Sequence, residues 1–248
     1  MSLSSLNAKL SAYCLDTTPL YKGEIFDKFY NESSYLRQKK IDRYKFQKDK
    51  CLSLGAEILL KYAFGKAGID FDKESFEQNE FQKPSLVNNF SISLGENIYY
   101  NISHSNKRVM CVISDHPCGC DVEALGDADM KIAKRFFSEE EFKKISDYVD
   151  ENSRCDTFYK IWTLRESFVK CTGLGLVMPF DCYSIMPDNE SASLSLSDNA
   201  REILKLTDEK FVFRQYEIND GYKYSLCVTT KAGEEVEIDN EVEFVEIK

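Results

Sequence analysis

Residues 161–170 read IWTLRESFVK and hold the only tryptophan of the chain. Trp162, Glu166 and Lys170 recur at i, i+4 and i+8, so on a helix they form one stripe. Ile161, Leu164, Phe168 and Cys171 form an adjacent apolar stripe, which predicts the core-facing side. The pattern predicts a helix over about 153–172, stopped by Gly173. Taken alone, Glu166 and Lys170 read as a surface pair worth about 0.3–0.5 kcal/mol. The other reading is a site that holds a metal and phosphates, with Glu166 as a carboxylate ligand and Lys170 as a point charge on a phosphate.

Outward from this helix the order repeats. A long amphipathic helix over 42–66, ending near Gly65 and Gly68, precedes a hairpin at 98–103 and 108–114 that ends in MCVIS. The helix at 153–172 precedes a hairpin at 211–217 and 222–230 that ends in LCVTT, with its turn at Asn219-Asp220-Gly221. The repetition predicts two similar α+β halves meeting near residue 117, with a ligand cleft between them. The remaining elements read as a strand at 10–15, broken helices over 24–41, a strand at 118–124, helices at 129–136 and 138–149, and a strand at 182–186. Ser138 and Glu141 form a capping box at the start of the second of those helices. The Asp-, Asn- and Ser-rich stretch 187–200 reads as a loop.

Composition narrows the chemistry. A length of 248 residues suits one large domain or two small ones, and 43% apolar residues argue against disorder. No apolar run reaches the length of a membrane span, and the N-terminus does not read as a secretory leader. Nine cysteines without a C-x-x-C pair fit a reducing cytoplasm. With only two histidines, His104 and His116, a polyhistidine metal site is excluded, so any bound metal rests on carboxylates, which suit Mg²⁺ or Mn²⁺. A net charge of −10 argues against a general nucleic-acid binder. The charge is uneven, however. Residues 37–50 hold seven Lys or Arg against two Asp, and residues 233–248 hold seven acids and one Lys. Such runs are often just solvated faces.

Two further motifs can carry chemistry. In 118-CGCDVEAL-125, strand alternation points Asp121 and Glu123 to one face and Val122 to the other. Paired carboxylates repel unless a cation lies between them; the alternative is an edge strand with solvated acids. In 100-YNISHS-105, His104 between two serines offers donors to an anion, or is a polar turn. A Ser-His-Asp hydrolase is excluded here, because Ser103 and His104 on a strand face opposite ways and no G-x-S-x-G elbow is present. A basic patch, an acidic pair and a Ser/His turn together fit a large polyphosphate ligand with a divalent cation.

At this point the chain resembles the Sfp-type 4′-phosphopantetheinyl transferases. The family's patterns occur in order as QKPSL from 82, NISHS at 101–105, GCDVE at 119–123, AKRFFSEEEF at 133–142 and FYKIWTLRESFVKCTGLGL at 158–176. The resemblance implies an α+β fold of two similar halves, 1–117 and 118–248, related by a pseudo-twofold axis, each a small antiparallel sheet packed with a long helix. It implies transfer of the phosphopantetheine arm of coenzyme A to a serine of an apo acyl or peptidyl carrier protein, with release of 3′,5′-ADP. Asp121, Glu123 and Glu166 then fall at the metal positions, with Mg²⁺ expected and Mn²⁺ an alternative. Glu166 is expected as base, directly or through a metal-bound water, and Lys170 at the pyrophosphate. Ser103, His104, Lys83, Arg37, Lys40, Arg43 and Ser53 fall where the family binds coenzyme A, with the N-terminal half at its nucleotide end. Arg165 stands where a lysine is usual, and is expected among the phosphate contacts; Gln82 stands where a glycine is usual. Intact Asp121, Glu123, Glu166 and Lys170 argue against a non-catalytic copy. Two fused halves predict a monomeric pseudo-dimer, and 129-DMKIAKRFFSEEEF-142 is expected to meet the carrier through Lys131, Lys134 and Arg135, beside Phe136 and Phe137.

Overall fold

Strand β1 (Ala8–Asp16) is apolar on both faces, and its alternation divides it between two cores. Leu10, Ala12 and Cys14 point one way, Tyr13 and Leu15 the other. The structure, a computed structural model, describes residues 8–71, 76–78, 84–86 and 98–248. After β1 come α1 (Gly23–Glu32), α2 (Tyr35–Asp42) and the long α3 (Gln47–Lys66). A short pair, β2 (Phe76–Gln78) and β3 (Pro84–Leu86), precedes the hairpin β4 (Tyr99–Ser105) and β5 (Arg108–Ser114). The second half opens with β6 (Cys118–Ala124), followed by α4 (Met130–Phe136), α5 (Glu139–Ser146) and the long α6 (Glu151–Thr172). Then come β7 (Tyr183–Asp188), β8 (Ser191–Leu196), α7 (Asp198–Leu204) and the hairpin β9 (Glu209–Tyr216) and β10 (Tyr222–Lys231). Two strands close the chain, β11 (Val236–Ile238) and β12 (Glu243–Val245). Among the described residues no helix is long and apolar enough to cross a membrane.

The repeated order becomes a repeated topology. The first sheet runs β1-β5-β4 and the second β6-β10-β9, each a first strand paired with the far strand of a later hairpin. All of these pairings are antiparallel. MCVIS and LCVTT occupy matching places. Met110 and Val112 of β5 and Leu226 and Val228 of β10 enter one shared core, while Cys111 and Cys227 face outward under α3 and α6. The sheets therefore lie face to face over a common core, with one long helix outside each.

Both helices approach their sheets through a glycine. A Cβ on Gly55 of α3 would lie 2.7 Å from Thr17 Cγ2, on the residue that follows β1. A Cβ on Gly119 of β6 would lie 2.2 Å from Ser167 O and 2.3 Å from Cys171 N of α6. The expected caps are present. Ser138 and Glu141 form their capping box, and Gly173 ends α6 in the left-handed conformation at φ 71°.

Three expectations are corrected. The helix expected from residue 42 begins at Gln47, after a break that follows α2. The stretch read as a loop at 187–200 contains β8 and the start of α7: in SASLSL every second residue, Ala192, Leu194 and Leu196, packs on the core under α6. The acidic tail is not merely a solvated run. β11 and β12 pair in parallel with β1, and Val236, Ile238 and Val242 enter the shared core while the acids between them stay outside. The second half thus returns to the first sheet, and Tyr216 of β9 donates to Asp239 O at 2.9 Å.

Candidate active site

The two halves meet where β4 runs beside β6, strands of different sheets. Side chains of β4, every second residue, form the join. Asn101 Oδ1 accepts from Cys120 N at 2.9 Å, Ser103 Oγ donates to Asp121 Oδ1 at 2.7 Å, and Ser105 Oγ donates to Glu123 Oε2 at 2.6 Å. Cys120 and Val122 enter the shared core, so Gly119, Asp121 and Glu123 face α6, as the alternation of GCDVE predicts. The missing side chain at Gly119 lets α6 lie close enough for its polar stripe to reach the carboxylates. Lys170 Nζ lies 2.6 Å from Asp121 Oδ1 and donates to Ser103 Oγ at 2.9 Å. Asp121 is 2% exposed, and its second oxygen, Oδ2, is buried with no hydrogen-bond partner.

Charge is concentrated here. Burial pushes the Glu166 carboxyl above its ordinary range, and the Asp121 and Glu123 charges add to that, against Lys170. Burial likewise raises Glu123, with Asp121 adding, while Ser105, Lys170 and the Trp162 indole favour its charged form. Burial would lower Lys170, yet Asp121 outweighs it and holds the ammonium above its usual value. Glu166 makes no hydrogen bond or ion pair with the described residues. Among those residues, no three His, Cys, Asp or Glu side chains converge on one point at ligating distance; the ammonium of Lys170 is the cation that Asp121 meets directly.

On the other face of β4, a pocket of about 250 Å³ is lined by Arg37, Lys40, Ser53 and His104, together with Tyr44 and Ile102. Arg37 is fixed there by Glu57 at 3.1 Å and by Ser53 at 3.3 Å. Burial lowers the Lys40 ammonium, and Arg37 adds to that. His104 has solvent access from the pocket, but the protein around it and the Lys170 charge push it below its ordinary range. The pocket and the carboxylates therefore lie on opposite sides of β4 and share its residues.

The structure brings together Asp121, Glu123, Glu166, Lys170 and Ser103 on one side, and Arg37, Lys40, Ser53 and His104 on the other. It does not bring Arg43, which is exposed and outside the pocket lining. Lys83 and Gln82 lie outside the described residues. The phosphate role expected of Arg165 is corrected. One residue from Glu166 means about 100° around the helix, and Arg165 faces away from the cluster, 4% exposed. Its guanidinium grips Glu141 at 2.7 and 2.9 Å, donates to Phe180 O and Tyr183 O, and lies 4.1 Å over the Tyr183 ring. Phe137, expected beside a carrier-facing surface, is buried against Phe158 and Trp162; Lys131, Lys134 and Arg135 are exposed. Two participants went unread in the sequence: Gly119 as the close-approach point, and Ser105. The signal for the second was the S-x-S of NISHS set against the D-x-E of GCDVE, equal spacings on two strands.

Comparison with known proteins identifies the family. Residues 117–227 match the model of the 4′-phosphopantetheinyl transferase superfamily, and residues 29–116 match that of the 4′-phosphopantetheinyl transferase N-terminal region. The chain is 31% identical to 4′-phosphopantetheinyl transferase gsp of Aneurinibacillus migulanus over 82% of its own length and 79% of the relative's. It is also 31% identical to a 4′-phosphopantetheinyl transferase of Bacillus subtilis, over 84% and 87%. Among solved structures, Helicobacter pylori holo-[acyl-carrier-protein] synthase in complex with coenzyme A is similar with a TM-score of 0.38 and 15% identity, over 46% of this chain and 99% of that one.

Proposed function

The chain belongs to the 4′-phosphopantetheinyl transferase superfamily, and from that premise we propose how its residues divide the reaction. The enzyme moves the phosphopantetheine arm of coenzyme A to a serine of a carrier protein and releases 3′,5′-ADP. The N-terminal half holds the nucleotide end, with Arg37, Lys40, Ser53 and His104 lining its pocket. The C-terminal half supplies Asp121, Glu123, Glu166 and Lys170. Lys83 joins the nucleotide end, and Ser103 and His104 hold phosphate groups.

The observation that carries the division is Asp121. A carboxylate 2% exposed, with one oxygen on Lys170 and the other buried without a partner, lacks half of its compensation. Glu123 and Glu166 beside it are raised by burial and by its charge. This donor set is hard, anionic and short of positive charge, which fits Mg²⁺, or Mn²⁺ in its place. When bound, the cation draws charge from the pyrophosphate. Glu166 accepts the proton of the incoming serine hydroxyl as its oxygen bonds to the phosphorus. Lys170 stays beside the phosphate whose bond to the arm breaks and balances the charge left on 3′,5′-ADP. We read the enzyme as a cytoplasmic monomer, a reading supported by its nine cysteines without a C-x-x-C pair and by its two fused halves.

The test is direct. The protein is mixed with coenzyme A, Mg²⁺ and an apo carrier domain, and the carrier is weighed by mass spectrometry. A phosphopantetheine adduct that disappears with chelator is expected. Adduct formation undiminished in chelator refutes the metal assignment, and no adduct with any of several carriers refutes carrier modification.

A further inference from the structure

The side chains that join the halves raise a question the division of labour leaves open. Asn101, Ser103 and Ser105 are alternate residues of β4, so they share a face. Their partners on β6 are Cys120 N, Asp121 and Glu123, numbers that rise together, so the strands run the same way across the junction. From Ser103 to Ser105 a spacing of two on one strand is matched by the spacing of two from Asp121 to Glu123 on the other. Ser103 also receives Lys170, which ties it to the phosphate side. Ser105 has no such second partner: its hydroxyl donates to Glu123 Oε2 at 2.6 Å and accepts from Ala124 N at 3.2 Å.

We propose that Ser105 is a positioning residue that sets the Glu123 carboxylate for the divalent cation. The inference rests on the metal reading given above. A glutamate has three rotatable side-chain bonds, and an unrestrained one loses that freedom when it ligates. Glu123 is restrained before any cation arrives. Ser105 holds one oxygen, and the Trp162 indole lies within hydrogen-bond reach of the carboxylate.

Ser105 is itself held. It ends β4 and pairs with Arg108 across the tight turn, where Asn106 adopts the left-handed conformation at φ 52°. Arg108 is clamped by Asp16 at 2.5 Å and by Asp220 at 3.3 Å, one acid from each half. The hydroxyl is therefore placed by the hairpin that bridges the halves, and a ligand on the second half is oriented from the first. Outer-shell partners of this kind change metal affinity by about 10–100-fold when removed.

Ser105→Thr and Ser105→Val test this, because they differ by a hydroxyl against a methyl of similar size. Mn²⁺ binding is measured by electron paramagnetic resonance without coenzyme A, and melting is measured in chelator. The expected result is that the Thr variant keeps the wild-type affinity while the Val variant loses about tenfold or more. Equal affinity in the two variants, whatever their melting temperatures, overturns the role of Ser105 while leaving the metal reading intact. Absence of Mn²⁺ binding by the wild-type protein overturns the metal reading, and this inference with it.

Discussion

The two long helices each carry a carboxylate on the side turned to the rest of the protein, and the two are treated in opposite ways. Glu57 of α3 is 3% exposed and saturated: Ser34 N at 2.7 Å, Ser34 Oγ at 2.8 Å, Arg37 at 3.1 Å and Lys61 at 3.3 Å all reach it. Burial would raise it, but these partners outweigh burial and hold it below its ordinary range. Glu166 of α6 has no such partners, and burial with two neighbouring carboxylates pushes it up. One topology thus yields a carboxylate committed to structure and one available for chemistry. What separates them is the supply of donors around each, not the helix that carries them.

The sharpest way to break the comparison is to remove each charge in turn. Glu166→Gln is expected to lower kcat by about 10²–10⁴-fold, the range for a positioned base, with little change in melting temperature. Glu57→Gln is expected to lose about 1–3 kcal/mol of stability, since it weakens the acceptor of several partly buried donors, and to raise the KM for coenzyme A by loosening Arg37. Denaturant melts and steady-state kinetics read both. A Glu57→Gln variant of normal stability but with kcat lost would reverse the assignment.

The glycines give the next contrast. Gly119→Ala must push backbone against backbone, because its Cβ meets Ser167 O and Cys171 N. Overpacking of this kind costs about 1–3 kcal/mol or more, and here it also moves α6 away from Asp121, so activity should fall further than stability alone explains. Gly55→Ala meets the methyl of Thr17 and the tip of Leu15, side-chain atoms that can shift. Its loss in melting temperature should be the smaller of the two, and equal losses would show that both approaches are equally rigid.

A smaller effect concerns the carrier. Lys131, Lys134 and Arg135 are exposed on α4, whereas Phe137 is buried, so any docking there is by charge rather than by that ring. Reversing the three to Glu should raise the KM for the carrier and leave that for coenzyme A in place. An unchanged carrier KM removes this surface from the docking site.

The smallest effect is the pH dependence of the link between the halves. Burial would lower His116, but Asp115 at 2.8 Å and Glu234 at 3.1 Å raise it above its ordinary value. A raised folded pKa gives stability that is fully present below the unfolded value of about 6.5 and is lost as pH rises through the folded value. The melting-temperature advantage of the wild type over His116→Gln should therefore shrink from acidic to alkaline buffer. An advantage that grows with pH would contradict the clasp.

Much of this protein was legible as local pattern. The i, i+4, i+8 stripe of Trp162, Glu166 and Lys170 and the alternation of Asp121 with Val122 and Glu123 state which side chains share a face, because helix and strand periods are fixed by backbone geometry. The repeated order of long helix and hairpin likewise announced two similar halves. Charge obscured the tail, where Val236 and Ile238 alternate with acids, and serine obscured β8. What only the tertiary structure decided is which faces meet. Arg165 carries the same charge whether it points at phosphate or at Glu141, 24 positions away in the sequence. Ser105 becomes a partner of Glu123 only because β4 lies beside β6. Periodicity assigns residues to faces, and it is long-range packing that brings one face to another. The proposed active site lies at such a meeting, so its candidate residues could be named from the sequence while their partners could not.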